Sequence, residues 1–172
     1  KIRDEARMCS DLRAIRLSRN FGKELALCAG FERARGNAVI VMDGDGQHPP
    51  SLLPLLIENW RGSGADIVEA VKRSRGRESL TSKFGALTFY VILNKLSGFD
   101  LKGASDFKLI DRRVLATWLA MHERSVFFRG MTAWMGFRTI QIPFEVAPRR
   151  AGKSGWSYLR RAKLALIGIT TF

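Results

Sequence analysis

Two carboxylates separated by one glycine close an apolar run in Val39-Ile40-Val41-Met42-Asp43-Gly44-Asp45-Gly46-Gln47-His48-Pro49-Pro50. Asp43 and Asp45 are hard oxygen donors of the kind that Mg²⁺ or Mn²⁺ takes while keeping waters and bridging substrate phosphates. The intervening glycine lets the backbone turn closely around such an anion and its metal. Aspartate and glycine also dominate solvated turns, so an Asp-x-Asp triplet carries little information alone. Its place gives it more. The run before it lacks alternation, as in a strand covered on both faces, and in open α/β sheets ligands bind beyond the carboxyl ends of strands. His48 has no second His or Cys at ligand spacing, so a structural role competes with a ligating one.

The elements around this loop alternate between helix and strand. Residues 4–13 have helical spacing, Ala14 to Leu17 reads as a short strand, and Lys23 to Arg35 as a helix stopped by Gly36-Asn37. Ala38 to Met42 follows as a strand. Ser51 looks like the N-cap of a helix over Leu52 to Trp60, with Pro54 tolerated in its first turn, and Asp66 to Val71 is the next strand. This order predicts an α/β domain, doubly wound, with a mostly parallel sheet and helices on both faces. Farther on, Phe107 to Ile110 reads as a strand, Arg113 to Met121 as a helix capped by Asp111, and Thr139 to Val146 as a strand. Leu80 to Leu96 reads as a core helix with an interfacial one as rival; Lys83, Asn94 and Lys95 interrupt it, and a bilayer needs about 20 apolar residues. Tyr158 to Phe172 sets Arg160, Arg161 and Lys163 beside Leu159, Leu164, Leu166 and Ile167, the pattern of an amphipathic interfacial helix or of a solvated face.

Composition bounds the partners. Of 172 residues, 29 are Lys or Arg and 16 Asp or Glu, a net charge of +13, while 46% are hydrophobic, which excludes a disordered chain. Such an excess calls for an anionic partner: nucleic acid, a phosphate-bearing substrate or an acidic membrane face. The sequence has no RNP-like aromatic strand, zinc finger or helix-turn-helix signature, and no nucleic-acid partner is expected. Cys9 and Cys28 read as buried reduced thiols. Trp134 is expected in the core, Trp156 at an interface and His122 at a helix end. Arg73, Arg75 and Arg77 have a solubilising cluster as their plain reading. Lys1 opens in charged sequence and Phe172 closes an apolar run, so both ends read as cut from a longer chain.

Taken in order, these motifs carry a resemblance. Leu17-Ser18-Arg19-Asn20-Phe21-Gly22-Lys23-Glu24, the helix end Ala34-Arg35-Gly36 and the segment Val39 to Pro50 resemble family 2 glycosyltransferases of GT-A fold, within them the polyprenol-phosphate sugar transferases of the dolichyl-phosphate mannose synthase and undecaprenyl-phosphate group. Gly103-Ala104-Ser105-Asp106-Phe107-Lys108-Leu109 is similar to the family's acceptor-side Asp-Phe-Arg-Leu segment. Glu123 to Gly130 is similar to its Arg-Gly segment, and Arg149-Arg150-Ala151-Gly152-Lys153-Ser154 to its basic loop before the membrane. Gly44 and Gly46 depart from it, standing where Ala and Leu are common.

The resemblance implies transfer of a sugar from a UDP- or GDP-linked donor to a polyprenyl phosphate, with inversion and with Mg²⁺ or Mn²⁺, on the cytoplasmic face of a membrane with an anionic surface. It assigns Asp43, Asp45 and Gln47 to the metal and diphosphate, with Asp45 also catalytic. It makes Asp106 a base or electrostatic orienter near the acceptor, and Arg75, Arg129, Lys153 and Ser154 binding residues for donor or acceptor phosphates. It implies a GT-A catalytic domain over residues 1–157, with its first strand and Pro-x-Tyr/Phe-Asn-Glu loop before Lys1. A juxtamembrane helix over 158–172 then leads to membrane-spanning segments, and self-association is compatible. The alternative is a family 2 enzyme acting on a polysaccharide or glycolipid hydroxyl, which would need a general base of raised pKa.

Overall fold

The computed structural model describes residues 5, 8–73, 104–121 and 127–145. They divide into two compact units, residues 1–35 and 36–172.

In the first unit, helix α1 spans Lys23–Arg33 and ends at Ala34, whose extended backbone leads the chain away before the expected stop. The Asn20 side chain accepts the Gly22 N–H at 3.0 Å just ahead of it. Ala14 to Leu17 is not a strand: it has no ladder partner among the described residues, and Ile15 is 50% exposed. The helix expected over residues 4–13 has ended by Cys9. Cys9 is exposed and Cys28 half-buried, neither in a disulfide, which corrects the expectation of buried thiols. The physical reason is a thin apolar face, since Phe31 is the one buried residue of α1.

The second unit is built on four strands, β1 (Ala38–Val41), β2 (Ile67–Lys72), β3 (Lys108–Asp111) and β4 (Thr139–Phe144), in the order β1-β3-β2-β4. β3 runs antiparallel to both neighbours and β4 parallel to β2, so three of the four strands point one way. Between β1 and β2 lies α2 (Leu53–Ser63); α3 (Arg112–Ala120) and α4 (Phe128–Trp134) lie between β3 and β4. Successive strand side chains face opposite sides, so Val68 and Ala70 share one face while Glu69 takes the other. On the first face, Leu56 of α2 packs with Val68, Ala70, Phe107, Leu109 and Phe144. On the second, Thr132 and Phe128 of α4 meet Lys108, the cross-strand partner of Glu69. Helices therefore cover both faces, as the alternation of elements predicts. Burying those apolar side chains is the main stabilising term, about 1.5–3 kcal/mol for each large one.

Local chemistry sets the boundaries. Ser51 is not a helix cap; Pro49-Pro50 starts a 3-10 turn over Pro50–Leu52 that takes Ser51 into itself, and α2 begins after it without a side-chain cap. α2 then outruns its expected end at Trp60 because Gly64, at φ +67°, supplies the left-handed stop. Asp111 does cap α3, accepting the Arg113 N–H at 2.8 Å, and its other oxygen accepts Trp60 Nε1 at 2.9 Å. Trp134, expected inside, is 55% exposed at the end of α4. Residues 80–96, His122, Trp156 and the helix expected over 158–172 lie outside the described residues. No helix among the described residues is long and apolar enough to cross a membrane.

Candidate active site

Sheet register brings the two acidic segments to one end of the sheet. β1 and β3 are antiparallel with Val41 opposite Lys108, so the loop leaving β1 and the turn entering β3 emerge side by side. The first holds Asp43, Asp45 and Gln47, all half-buried. Asp45 Oδ1 accepts the Gln47 N–H at 3.0 Å, an Asx turn that fixes the carboxylate, and Gly46 turns the chain at φ +79°. His48 closes the loop by accepting the Asp43 N–H on Nδ1 at 3.0 Å. Its ring is 7% exposed and stacks on Phe107, with centroids 4.7 Å apart and planes 15° from parallel; Phe144 meets it edge-on at 6.1 Å. His48 thus takes the structural role.

In the second segment Asp106 holds the Arg129 guanidinium as a bidentate pair, Oδ1 accepting from Nε and Oδ2 from Nη2 at 2.8 Å each. This fork-on-fork geometry is among the strongest charge-assisted contacts a side chain makes, and it fixes the guanidinium plane. Arg129 sits in the first turn of α4 and keeps 31% of its side chain exposed, whereas Asp106 keeps 9%.

Beneath this pair lies a buried polar network. Glu69 Oε1 accepts the Ser105 N–H at 2.8 Å and the Lys108 ammonium at 2.9 Å, and Gln141 Nε2 reaches Oε2 at 3.2 Å. Lys108 also donates to Thr132 Oγ1 at 2.9 Å, and its Nζ lies 5.2 Å from the centre of the Phe128 ring. Burial pushes the Lys108 pKa down, against the opposing pull of Glu69, and the ammonium also feels Asp106 and Arg129. The signal for this network was a single charge of opposite sign in each of two apolar strands, Ile67-Val68-Glu69-Ala70 and Phe107-Lys108-Leu109.

The donor set of the first loop suits a divalent cation shared with substrate. Among the described residues no cluster of three His, Cys, Asp or Glu side chains could cage a metal alone. Two carboxylates and an amide on one tight loop match Mg²⁺, which binds through one or two carboxylates plus substrate phosphates. His48, spent on the Asp43 N–H and on Phe107, does not belong to that set.

Of the residues singled out in the sequence, Asp43, Asp45, Gln47, Asp106 and Arg129 thus occupy the described end of the sheet. Arg73 follows β2, exposed, with its N–H given to the Phe144 carbonyl at 2.9 Å. Arg75, Lys153 and Ser154 lie outside the described residues. Glu69, Lys108 and the helix α4 are additions from the structure.

Comparison with known proteins gives the family of the chain. The profile of glycosyl transferase family 2 matches residues 1–118. An uncharacterized glycosyltransferase of Synechocystis is 40% identical over 162 residues, covering 94% of this chain and 51% of its own. A prophage bactoprenol glucosyl transferase homolog of Escherichia coli is 38% identical over 156 residues, 90% of this chain and 51% of its own. The bactoprenol glucosyl transferase of Shigella phage SfV is 38% identical over the same length, 90% of this chain and 50% of its own. The chain spans about half the length of these curated relatives. By the match over residues 1–118 and by these relatives, the chain belongs to glycosyl transferase family 2.

Proposed function

We propose that the protein transfers a sugar from a nucleoside-diphosphate sugar to a polyprenyl phosphate at a membrane surface. The observation that carries this reading is the juxtaposition, at one end of the sheet, of an acidic metal-suited loop and a guanidinium clamped by a carboxylate. The relatives named for bactoprenol, a polyprenol, support the acceptor class. In this reading residues 1–157 are the catalytic domain and 158–172 a juxtamembrane helix on the cytoplasmic face. Arg75, Lys153 and Ser154 add to the phosphate-binding set.

The reaction joins an oxygen of the acceptor phosphate to the anomeric carbon and breaks that carbon's bond to the donor diphosphate. We take the transfer to be a single displacement with inversion, the course that the resemblance to polyprenol-phosphate transferases implies. Asp43, Asp45 and Gln47 would hold Mg²⁺ or Mn²⁺, which supplies positive charge against the diphosphate. Arg129 stabilises phosphate charge from a fixed position, the preorganised electrostatics that usually dominate catalysis. Asp106 spends both oxygens on that guanidinium, which supports orientation rather than proton abstraction. An acceptor phosphate is already ionised near neutral pH and needs no strong base, unlike a sugar hydroxyl.

The test is transfer by full-length protein in membranes, using a panel of nucleotide sugars with a polyprenyl phosphate or a glycolipid hydroxyl as acceptor. Lipid-phosphate product should form and fall on the order of 100-fold in Asp45→Ala. UDP or GDP with Mn²⁺ should raise the Tm where an oligonucleotide does not. Product on the hydroxyl acceptor alone, or undiminished transfer by Asp45→Ala, would sink the reading.

A further inference from the structure

A glutamate and a lysine facing each other across two central strands are a poor choice if stability is their only purpose. Removing two charges from water costs several kcal/mol each, and well-packed apolar pairs often do as well or better. Glu69 and Lys108 are nonetheless 4% and 3% exposed. Their contacts show where the carboxylate acts. Glu69 Oε1 takes the backbone N–H of Ser105, the residue before Asp106, and Ser105 Oγ accepts the Phe107 N–H at 3.1 Å on the other side of Asp106. The Phe107 carbonyl then accepts the Ala70 N–H at 2.9 Å. The turn carrying Asp106 is therefore pinned to β2 on both sides, first through the Glu69 side chain and then through the backbone of the residue after it. Lys108 balances the Glu69 charge and, through Thr132, ties the same cluster to α4, the helix that presents Arg129.

We propose that Glu69 is a positioning residue: by accepting the Ser105 N–H it sets the turn that aims Asp106 at Arg129, and Lys108 is the counter-charge that makes this acceptor tolerable in the interior. The proposal rests on the catalytic reading above, in which the Asp106–Arg129 pair faces phosphate. It also makes a claim about the turn that stands without activity.

Two double variants separate positioning from bulk stability. E69Q/K108M removes both charges but keeps an amide oxygen for the Ser105 N–H, and Gln141 can turn its own amide over to accept from the new one. E69L/K108M removes the charges and the acceptor together. With full-length protein, E69Q/K108M is expected to keep kcat within threefold of the parent. E69L/K108M, at a Tm no lower than that of E69Q/K108M, should lose at least tenfold in kcat or in KM for the lipid phosphate, with KM for the nucleotide sugar unchanged. Amide exchange gives the second readout: Ser105 and Phe107 N–H should stay protected in E69Q/K108M and open in E69L/K108M. Equal kinetics and equal protection in the two variants would overturn the proposal. Should E69L/K108M fail to fold, E69Q/K108M still decides: a tenfold loss of kcat at unchanged Tm would show that charge, not the acceptor, matters. If the parent protein transfers no sugar to lipid phosphate, the catalytic reading fails while the exchange result alone judges the positioning of the turn.

Discussion

His48 lies flat on Phe107, with ring centroids 4.7 Å apart and planes 15° from parallel, while its Nδ1 accepts the Asp43 N–H. One side chain thereby joins the loop after β1 to the turn before β3. An Nδ1 that accepts has its lone pair in use and leaves the ring proton of the neutral imidazole on Nε2, so in this tautomer neither nitrogen offers a lone pair to a metal and the ring is an anchor. The acidic loop is held from within by the Asp45–Gln47 turn and from outside by this ring.

Substitutions at His48 should separate these two bonds. His48→Ala loses the stack and the acceptor, and an aromatic contact plus a buried hydrogen bond amount to about 2 kcal/mol. His48→Phe keeps the stack and strands the Asp43 N–H, so about half that loss is expected. Both should weaken the Tm shift given by UDP or GDP with Mn²⁺ beyond what their own stability change explains. An unchanged ligand shift in His48→Ala would mean that the ring does not shape the loop.

Arg129→Lys keeps the positive charge but cannot make the two-pronged contact with Asp106. Turnover should fall by roughly 10–100-fold, with a stability loss of about 1–2 kcal/mol. Asp106→Asn should fall comparably, because the guanidinium loses its orienting charge. Assayed between pH 6 and 8, neither variant should change the shape of the pH–rate profile. A low-pH limb present in the parent and lost in Asp106→Asn would instead restore Asp106 to the role of proton acceptor.

The sequence was most legible where local rules agree. Ala38 to Met42 is apolar without alternation and stops at an aspartate, and Asp111 stands directly before a helix it caps. Strand direction was not legible. Nothing in Lys108-Leu109-Ile110 says that β3 runs against its neighbours, since an apolar run has no polarity and register is settled between distant segments. α4 escaped because seven residues with Gly130 inside have little helix propensity; burial of Phe128 and Met131 makes it helical. The same holds at the site. Asp43, Asp45, Asp106 and Arg129 announce themselves by type and motif, whereas Glu69 and Lys108 gain meaning only when the register sets them opposite each other.

The two glycines of the acidic loop should differ in tolerance. Gly44 has ordinary negative φ, and a Cβ there would meet nothing within 4 Å, so Gly44→Ala should be neutral or stabilise by about 0.4–1 kcal/mol through the unfolded chain. Gly46 sits at φ +79°, where an L side chain costs about 1–2 kcal/mol. Thermal unfolding of Gly44→Ala and Gly46→Ala, side by side, checks the contrast. Equal Tm values would show that Gly46 does not hold that backbone in solution.

Asp111 gives the fold a defined sensitivity to acid. Its partial burial alone would raise the carboxyl pKa, but the Arg113 N–H, the Trp60 indole N–H and the Arg113 guanidinium all favour the charged form and hold it below the ordinary value. Below means that the folded protein binds this proton more weakly than the unfolded chain does, so acid favours unfolding. The contribution is complete above the ordinary carboxyl value of about 4 and is lost as pH falls through the lower folded value. Asp111→Ala should cost about 2 kcal/mol at pH 7, one part for the α3 cap and one for the Trp60 bond. Asp111→Asn should recover the cap, since asparagine caps as well as aspartate, but not the charge-assisted bond to the indole. The Arg113 ion pair adds little, because that side chain is 72% exposed. Measured by denaturant unfolding from pH 7 downward, the gap between parent and Asp111→Ala should stay constant to about pH 5 and narrow below pH 4. A gap that stays constant to pH 2 would show that the charge of Asp111 does nothing for the fold and that shape alone explains its place.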